Sequence, residues 1–343
     1  MATANTGPLP PPPSISKKTI PMAGLLVDVY GLSELSAPTA ATRITCLWLH
    51  HPRLQTKAIM GDFACRAVGA WNERRRAAKP ESCTASRGLV ALAFDQRNHG
   101  SRLVDELANE SWKKGNETHA LDMMAAVRGM VEDTRGLMDV VEGYLVNSGA
   151  EGGGGGGKSL GGHSAWQLMF GDERVTAGVM IIGCPDYMAL MSNRARKSKL
   201  PTYRSEDGGA SFLGSKHFPR DLIKVCRSAD PKGLLFGTEP IAAPSQGAKQ
   251  EELKKFFDKT IKNKKFLACS GADDKLVPYS MSEPFIKFFQ GAVNGWYKEG
   301  NVLVDDRVYE GVGHTFSEGM VRDALEFFMN AMDEEVREGK ARI

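Results

Sequence analysis

The chain has 343 residues, of which 42% are hydrophobic and 25% charged, and its formal net charge is +3. These proportions are typical of a soluble globular protein, and the length allows one large domain with a sizeable core. The small net charge argues against a nucleic-acid partner, and no run of the sequence approaches the roughly 18 consecutive apolar residues of a membrane helix.

Residues 1–16 are rich in proline, serine, threonine and alanine, with four consecutive prolines from Pro10 to Pro13. This composition predicts an extended, disordered lead-in before a domain that covers residues 17–343. The lead-in lacks the apolar centre of a signal peptide, and the six cysteines show no paired spacing. We therefore expect a cytoplasmic protein without a disulfide framework or a zinc site.

Strand-like apolar runs alternate with longer amphipathic segments along the rest of the chain. The predicted strands cover residues 20–29 (as a strand or hairpin), 44–49, 88–94, 177–182, 265–270 and 302–309. The predicted helices cover about residues 57–76, 121–145, 161–170, 283–289 and 321–336. This alternation predicts an α/β fold with a doubly wound, mostly parallel sheet. Residues 186–261, which are rich in charged and small residues, interrupt the alternation and are predicted to form a cap or lid insertion.

The most informative motif is Gly157-Lys158-Ser159-Leu160-Gly161, which has the G-x-S-x-G pattern of a nucleophile elbow. Such an elbow exposes a serine on a sharp turn between a strand and a helix. A run of glycines precedes it, in the place of the strand that should lead into the turn, where glycine is costly and adds no packing. Ser164, in Gly162-His163-Ser164-Ala165, is an alternative nucleophile, although Trp166 stands where that elbow needs its closing glycine.

The same stretch also fits a phosphate-binding loop, because residues 152–159 read G-x-x-x-x-G-K-S. Such a loop needs an apolar strand before it and a helix directly after the Lys-Ser pair. The sequence predicts neither, and a run of identical residues matches many patterns. Nucleotide hydrolysis is therefore the least favoured interpretation.

Two further polar residues follow predicted strands late in the chain. Asp274 lies in a G-x-x-D segment after the strand at 265–270, where the neighbouring Asp273 is an alternative. His314 lies in a G-x-G-H-x-F segment after the last strand. A serine hydroxyl needs a nearby base to become a nucleophile, and a histidine oriented by a carboxylate supplies one.

Together these segments resemble the α/β-hydrolase superfamily, and most closely its dienelactone-hydrolase and prolyl-oligopeptidase-like branch. The resemblance rests on the loop at 47–53, the turn at 95–101, the G-x-S-x-G segment, and the segments at 271–278 and 311–316. It implies an α/β-hydrolase fold with a cap, in which Ser159 attacks the substrate, His314 takes the serine proton and Asp274 orients the histidine.

The resemblance also implies two backbone N–H groups that stabilise an oxyanion. One belongs to Leu160, the residue after the nucleophile, and the other to the loop after the strand at 44–49. If His50-His51 corresponded to the family's His-Gly, the second donor would be Pro52, which has no N–H. We therefore assign the second donor to Arg53.

The sequence thus predicts a serine hydrolase that cleaves a small-molecule carboxylic ester, or by the same chemistry a thioester or lactone, through an acyl-serine intermediate. No metal, cofactor, nucleic acid or membrane is expected to take part. The alternative is a non-catalytic protein of the same fold that binds a small apolar ligand or a partner. The sequence leaves the oligomeric state open.

Overall fold

The computed structural model of the chain describes residues 7–36, 43–79, 82, 84–148, 153–244 and 247–341, with the backbone alone at 153–160 and 335–341. Its strands are β1 (Lys17–Met22), β2 (Leu25–Tyr30), β3 (Arg43–Leu49), β4 (Arg87–Ala93), β5 (Gly153–Gly161), β6 (Val175–Ile181), β7 (Lys265–Gly271) and β8 (Leu303–Tyr309). Its helices are α1 (Gly61–Ala77), α2 (His119–Met138), α3 (Val141–Asn147), α4 (His163–Gly171), α5 (Tyr187–Lys197), α6 (Arg220–Ala229), α7 (Pro231–Phe236), α8 (Ala248–Thr260), α9 (Tyr279–Asn294) and α10 (Glu318–Ala341).

The strands form one sheet in the order β1-β2-β4-β3-β5-β6-β7-β8. Strands β3 to β8 run parallel to one another, whereas β1 and β2 form an antiparallel hairpin at one edge, in which β2 is also antiparallel to β4. The predicted α/β class and the mostly parallel sheet are therefore confirmed. Because the carboxyl ends of parallel strands share one edge, the loops after β3, β5, β6, β7 and β8 meet there.

Helices cover both faces of the sheet, and β4 shows how the sequence encodes this. Leu89 and Ala91 pack into a core cluster with α1 and α10. Val90 and Leu92 pack into a second cluster with α2 and α3 on the opposite face. A strand that is covered on both faces needs apolar side chains at every position, which explains why this run does not alternate.

The glycine-rich strand β5 lies in the middle of the sheet, between β3 and β6. Its pairing with β3 is irregular between Ile44 and Cys46, and its pairing with β6 shifts between Gly157 and Lys158. Identical residues without a Cβ give a strand little preference for one register over another. The two irregularities are consistent with that weak preference.

Residues 7–16 run without regular secondary structure along the surface of α1 and α10. Leu9 and Ile15 pack against the core, and the backbone N–H of Leu9 donates to a carboxylate oxygen of Glu318 at 3.1 Å. The segment is extended, as its prolines predict, but these contacts hold it in place. The predicted disorder is therefore contradicted over this part of the lead-in, and residues 1–6 lie outside the described residues.

The segment at 186–261 that we predicted to be a cap lies between β6 and β7 and contains helices α5 to α8. None of the helices in the described ranges is both long and apolar enough to cross a lipid bilayer.

A buried lysine holds the carboxyl end of α4, the helix that follows the glycine-rich strand. Lys264 is 3% exposed, and its ammonium group donates to the carbonyl oxygens of Met169 at 2.8 Å and Asp172 at 2.6 Å. Burial lowers the pKa of Lys264 from 10.5 to about 8, against the opposing effect of the Asp172 and Glu173 carboxylates. The folded protein therefore releases this proton at a lower pH than the unfolded chain does.

This lowered pKa gives a testable pH dependence of stability. Between pH 8 and 10.5 the unfolded chain binds more protons at Lys264 than the folded protein, so stability rises with pH over this window. We compare the unfolding free energy of wild type with that of the Lys264→Met variant. We expect the difference between them, wild type minus variant, to increase by up to about 3 kcal/mol between pH 8 and 10.5. Urea unfolding at several pH values measures the difference. The exposed Lys262→Met variant is the control, and a difference that does not change with pH would contradict the assignment.

Candidate active site

Asp274 and His314 lie at the carboxyl ends of the neighbouring strands β7 and β8. The Nδ1 atom of His314 lies 2.9 Å from Oδ2 of Asp274, which is only 4% exposed. The other carboxylate oxygen of Asp274 accepts the backbone N–H groups of Leu276 at 2.7 Å and Val277 at 2.9 Å. The adjacent Asp273 is exposed. The aspartate that contacts the histidine is therefore Asp274.

These contacts favour the ionised form of Asp274 and orient the ring of His314. Burial opposes ionisation of Asp274, but the hydrogen bond from His314 and those from Val277 and Leu276 outweigh it and hold the pKa of Asp274 below 3.8. The ionised carboxylate accepts the Nδ1–H of the neutral imidazole, which leaves a lone pair on Nε2. His314 is therefore oriented to accept a proton at Nε2.

The turn between β5 and α4 lies at Gly162, and not at Ser159 as the G-x-S-x-G motif predicts. The backbone of Ser159 pairs with Trp48 of β3 on one side and with Gly178 of β6 on the other. The strand continues past it to its end at Gly161 before α4 begins. The structure thus places the strand-to-helix turn three residues after Ser159, whose side chain lies outside the described residues.

The same strand contradicts the phosphate-loop interpretation. Lys158 and Ser159 lie within β5 and pair with β3 and β6. A phosphate loop must instead wrap around its ligand and pass directly into a helix after the Lys-Ser pair.

The turn itself is packed too closely for side chains. A Cβ atom on Gly183, just beyond β6, would lie 2.6 Å from the carbonyl carbon and oxygen of Gly162. A Cβ on Gly161 would lie 2.9 Å from the Cβ of His50. Glycine at these positions lets the ends of β5 and β6 and the loop after β3 approach one another.

Ser164 lies in the first turn of α4 and belongs to a buried hydrogen-bonded chain. Its Oγ lies 2.9 Å from Nδ1 of His50, and Nε2 of the same ring lies 3.0 Å from Oγ1 of Thr134. Thr134 donates its only hydroxyl proton to the carbonyl oxygen of Met130 at 2.7 Å, so His50 must donate from Nε2 and accept at Nδ1. Burial lowers the pKa of His50 to about 3, which keeps the ring neutral. The Ser164 hydroxyl therefore donates to His50.

The two backbone N–H groups that we predicted as oxyanion donors differ in their hydrogen bonding. Leu160 lies inside β5, opposite Leu49 on one side and Val179 on the other, so its N–H faces a neighbouring strand. This contradicts its prediction as a free donor. The N–H of Arg53, in the loop after β3, has no hydrogen-bond partner among the described residues. The donor that we assigned to Arg53 therefore remains available.

The turn at 95–101 supports this edge of the site. Asp95 accepts the backbone N–H groups of Lys57 at 2.9 Å and Ser101 at 3.0 Å, and the Ser101 hydroxyl at 2.8 Å. The backbone N–H of Gln96 donates to Nε2 of His51 at 3.0 Å. Burial lowers the pKa of His51 to about 4, so this histidine is a neutral structural residue beside the site.

These elements enclose a cavity of about 320 Å³ at the carboxyl edge of the sheet. Its polar lining includes His51, Arg53, His163, Ser164, Arg194 and His314. The structure thus brings together the predicted residues Arg53, Ser164 and His314, with Asp274 directly behind His314.

Sequence reasoning missed the hydrogen-bonded chain behind Ser164 and one arginine of the cavity. His50 and Thr134 lie far apart in the sequence, and no local motif indicates that they orient Ser164. Arg194 belongs to α5, in the segment that is rich in charged and small residues. Its role depends on how this segment folds back, so composition alone gave no signal for it.

No family model matches the sequence, and no curated protein is detectably similar to it. Among solved structures, TT1662 from Thermus thermophilus is similar with a TM-score of 0.51 and 18% identity, over 93% of this chain and 98% of that chain. The esterase Pf2001 from Pyrococcus furiosus has 13% identity and a TM-score of 0.42, over 92% of each chain. An esterase from Pyrobaculum calidifontis has 14% identity and a TM-score of 0.45, over 95% of this chain and 87% of that chain.

At these identities the similarity concerns the fold alone. The similarity to TT1662 extends over nearly the whole chain, including the parallel strands and the antiparallel hairpin at the edge of the sheet. The chain has the α/β-hydrolase fold.

Proposed function

We propose that this protein is a serine hydrolase that cleaves a small carboxylic ester, or a thioester or lactone, through an acyl-serine intermediate. The observation that carries the proposal is the hydrogen bond between Asp274 and His314, at the edge of a cavity that contains a serine and a free backbone N–H. A protein that only binds a ligand has no need for a histidine that a buried carboxylate orients in the same cavity as a serine.

In the proposed reaction a serine oxygen attacks the ester carbonyl while Nε2 of His314 takes the hydroxyl proton. Asp274 stabilises the imidazolium that forms. The N–H of Arg53 donates to the oxyanion of the tetrahedral intermediate. His314 then passes the proton to the leaving alcohol, and water releases the acid from the acyl-serine by the same steps.

Two serines compete for the nucleophilic role, each on a different kind of support. Ser159 has the G-x-S-x-G motif. Ser164 lines the same cavity as His314 and is followed by Ala165 in the first turn of α4, and its hydroxyl must turn from His50 to His314 for the reaction. The N–H groups of a first helical turn have no intrahelical partner, so that of Ala165 could serve as the second oxyanion donor.

Labelling with a fluorophosphonate probe tests the proposal, because such probes modify only activated serines. We expect the wild type to be labelled on one serine, Ser159 or Ser164, and the His314→Gln variant to lose the label. Peptide mapping, with Ser159→Ala and Ser164→Ala in parallel, identifies which serine reacts.

The exposed Ser228→Ala variant is the matched control and should label like wild type. A thermal melt of each variant separates loss of the nucleophile from loss of the fold. Absence of labelling in the wild type would overturn the hydrolase proposal and favour a ligand-binding protein, and so would a label on any third serine.

A further inference from the structure

Two arginines reach the same cavity from different parts of the chain. Arg53 comes from the loop after β3, and Arg194 comes from α5, between β6 and β7. The second lies in a region that contributes nothing to the proposed proton transfer. Its position beside Ser164 and His314 therefore needs another explanation.

Among the described residues, both guanidinium groups donate hydrogen bonds only to neutral partners. Arg194 donates to Nε2 of His119 at 3.2 Å, to the sulfur of Met123 at 3.1 Å and to the carbonyl oxygen of Leu276 at 3.3 Å. Arg53 donates to the carbonyl oxygen of Asn109. Within the described ranges neither forms an ion pair with a carboxylate. Since a guanidinium has five N–H donors, each retains donors for a ligand.

The neighbouring histidines do not neutralise this charge. His119 is buried and His163 is half-buried, and desolvation lowers the pKa of each to about 4, with a further contribution from the positive charge of Arg194. Burial also lowers the pKa of Arg194, and the charge of Arg53 acts in the same direction. The cavity therefore holds two cations that are partly removed from water.

The two carboxylates whose charges act on these arginines have other hydrogen-bond or ion-pair partners. The charge of Asp274 raises the pKa of Arg194 without direct contact, but the carboxylate of Asp274 accepts hydrogen bonds from His314 and from backbone groups. Glu110 acts on Arg53, but its carboxylate pairs with Lys114 at 3.0 Å. Partly desolvated cations without an anionic partner are unfavourable, so the site is suited to an anion that the ligand brings.

We propose that Arg53 and Arg194 form a subsite that binds a carboxylate of the substrate, so that the preferred esters are small and carry a second, free carboxylate group. A guanidinium presents parallel donors that fit the two oxygens of a carboxylate. The volume of about 320 Å³ lies at the small end of ligand cavities, which favours compact acids. This inference rests on the proposed hydrolase function and adds the substrate class to it.

Matched esters test the subsite. We expect the kcat/KM ratio of mono-p-nitrophenyl glutarate to p-nitrophenyl valerate, which differ mainly in the terminal carboxylate, to be about 10 or more in wild type. Arg194→Met should lower this ratio by roughly 10- to 100-fold, and Arg194→Lys should recover part of it. Arg196→Met, on the exposed side of the same helix, should leave the ratio unchanged.

Calorimetry with free glutarate and with inorganic phosphate reports the subsite without any catalysis. Glutarate binding that Arg194→Met abolishes supports the proposal even if neither ester is cleaved. Hydrolysis of the neutral ester with no preference for the charged one would overturn the subsite and leave the hydrolase function standing. Tighter binding of phosphate than of glutarate would overturn the carboxylate assignment, as would failure of wild type to bind either anion.

Discussion

Asp274→Asn is expected to lower kcat by about 10⁴-fold while the protein remains folded. An asparagine amide can donate its N–H to Nδ1 of His314, which would then carry its own proton on Nε2. The imidazole would face the serine with a proton where the proposed reaction needs a lone pair. The loss should therefore appear in kcat with the best ester found, and equally in the rate of fluorophosphonate labelling.

The neighbouring Asp273→Asn variant is a control that the chain itself supplies. Asp273 is exposed, whereas Asp274 is buried against His314. We expect Asp273→Asn to retain nearly full activity. Equal losses in the two variants would mean that negative charge near the site matters, and not the hydrogen bond to His314.

Gly183→Ala is expected to destabilise the protein by about 3 kcal/mol and to reduce activity by roughly 10²-fold. Its new methyl group would lie 2.6 Å from backbone atoms of Gly162, so either β6 or the turn before α4 must move. A shift of that turn displaces Ser164 relative to His314. Urea unfolding gives the free energy, and ester hydrolysis gives the rate.

A second glycine-to-alanine change serves as the comparison for this prediction. Gly136 is an exposed residue of α2, and a Cβ there meets no atom within 4 Å. Gly136→Ala should stabilise the protein by up to about 1 kcal/mol, because alanine favours the helix and restricts the unfolded chain. If the two variants behaved alike, close packing at Gly183 would not be the cause.

Most of the fold could be predicted from the sequence, because apolar runs indicate which segments are buried. The run from Leu89 to Phe94 predicts a strand covered on both faces, and the structure has helices on each side of it. The elbow could not be located in this way. The glycines before Ser159 carry no side-chain pattern that fixes how far β5 extends, so the sequence alone could not predict where the strand ends.

The residues of the candidate site likewise include some that could be predicted from the sequence and some that could not. Asp274 and His314 follow strands whose ends are visible in the sequence, and the parallel sheet brings them together. Ser164, His50 and Thr134 meet only through three-dimensional packing. Arg194 reaches the cavity from a segment whose helices carry no motif, which is why the arginine pair emerged from the structure alone.

The glycine-rich strand has a consequence for how this gene can vary. A change of length inside a central strand normally shifts every later side chain to the opposite face. The residues of Gly152–Gly157 are identical. We therefore expect that one glycine can be added or lost with a change of pairing only where the pairing of β5 is already irregular. The segment Lys158–Gly161 would keep its partners on β3 and β6. We therefore expect this glycine tract, which adds little packing energy, to tolerate changes in length next to the candidate active site.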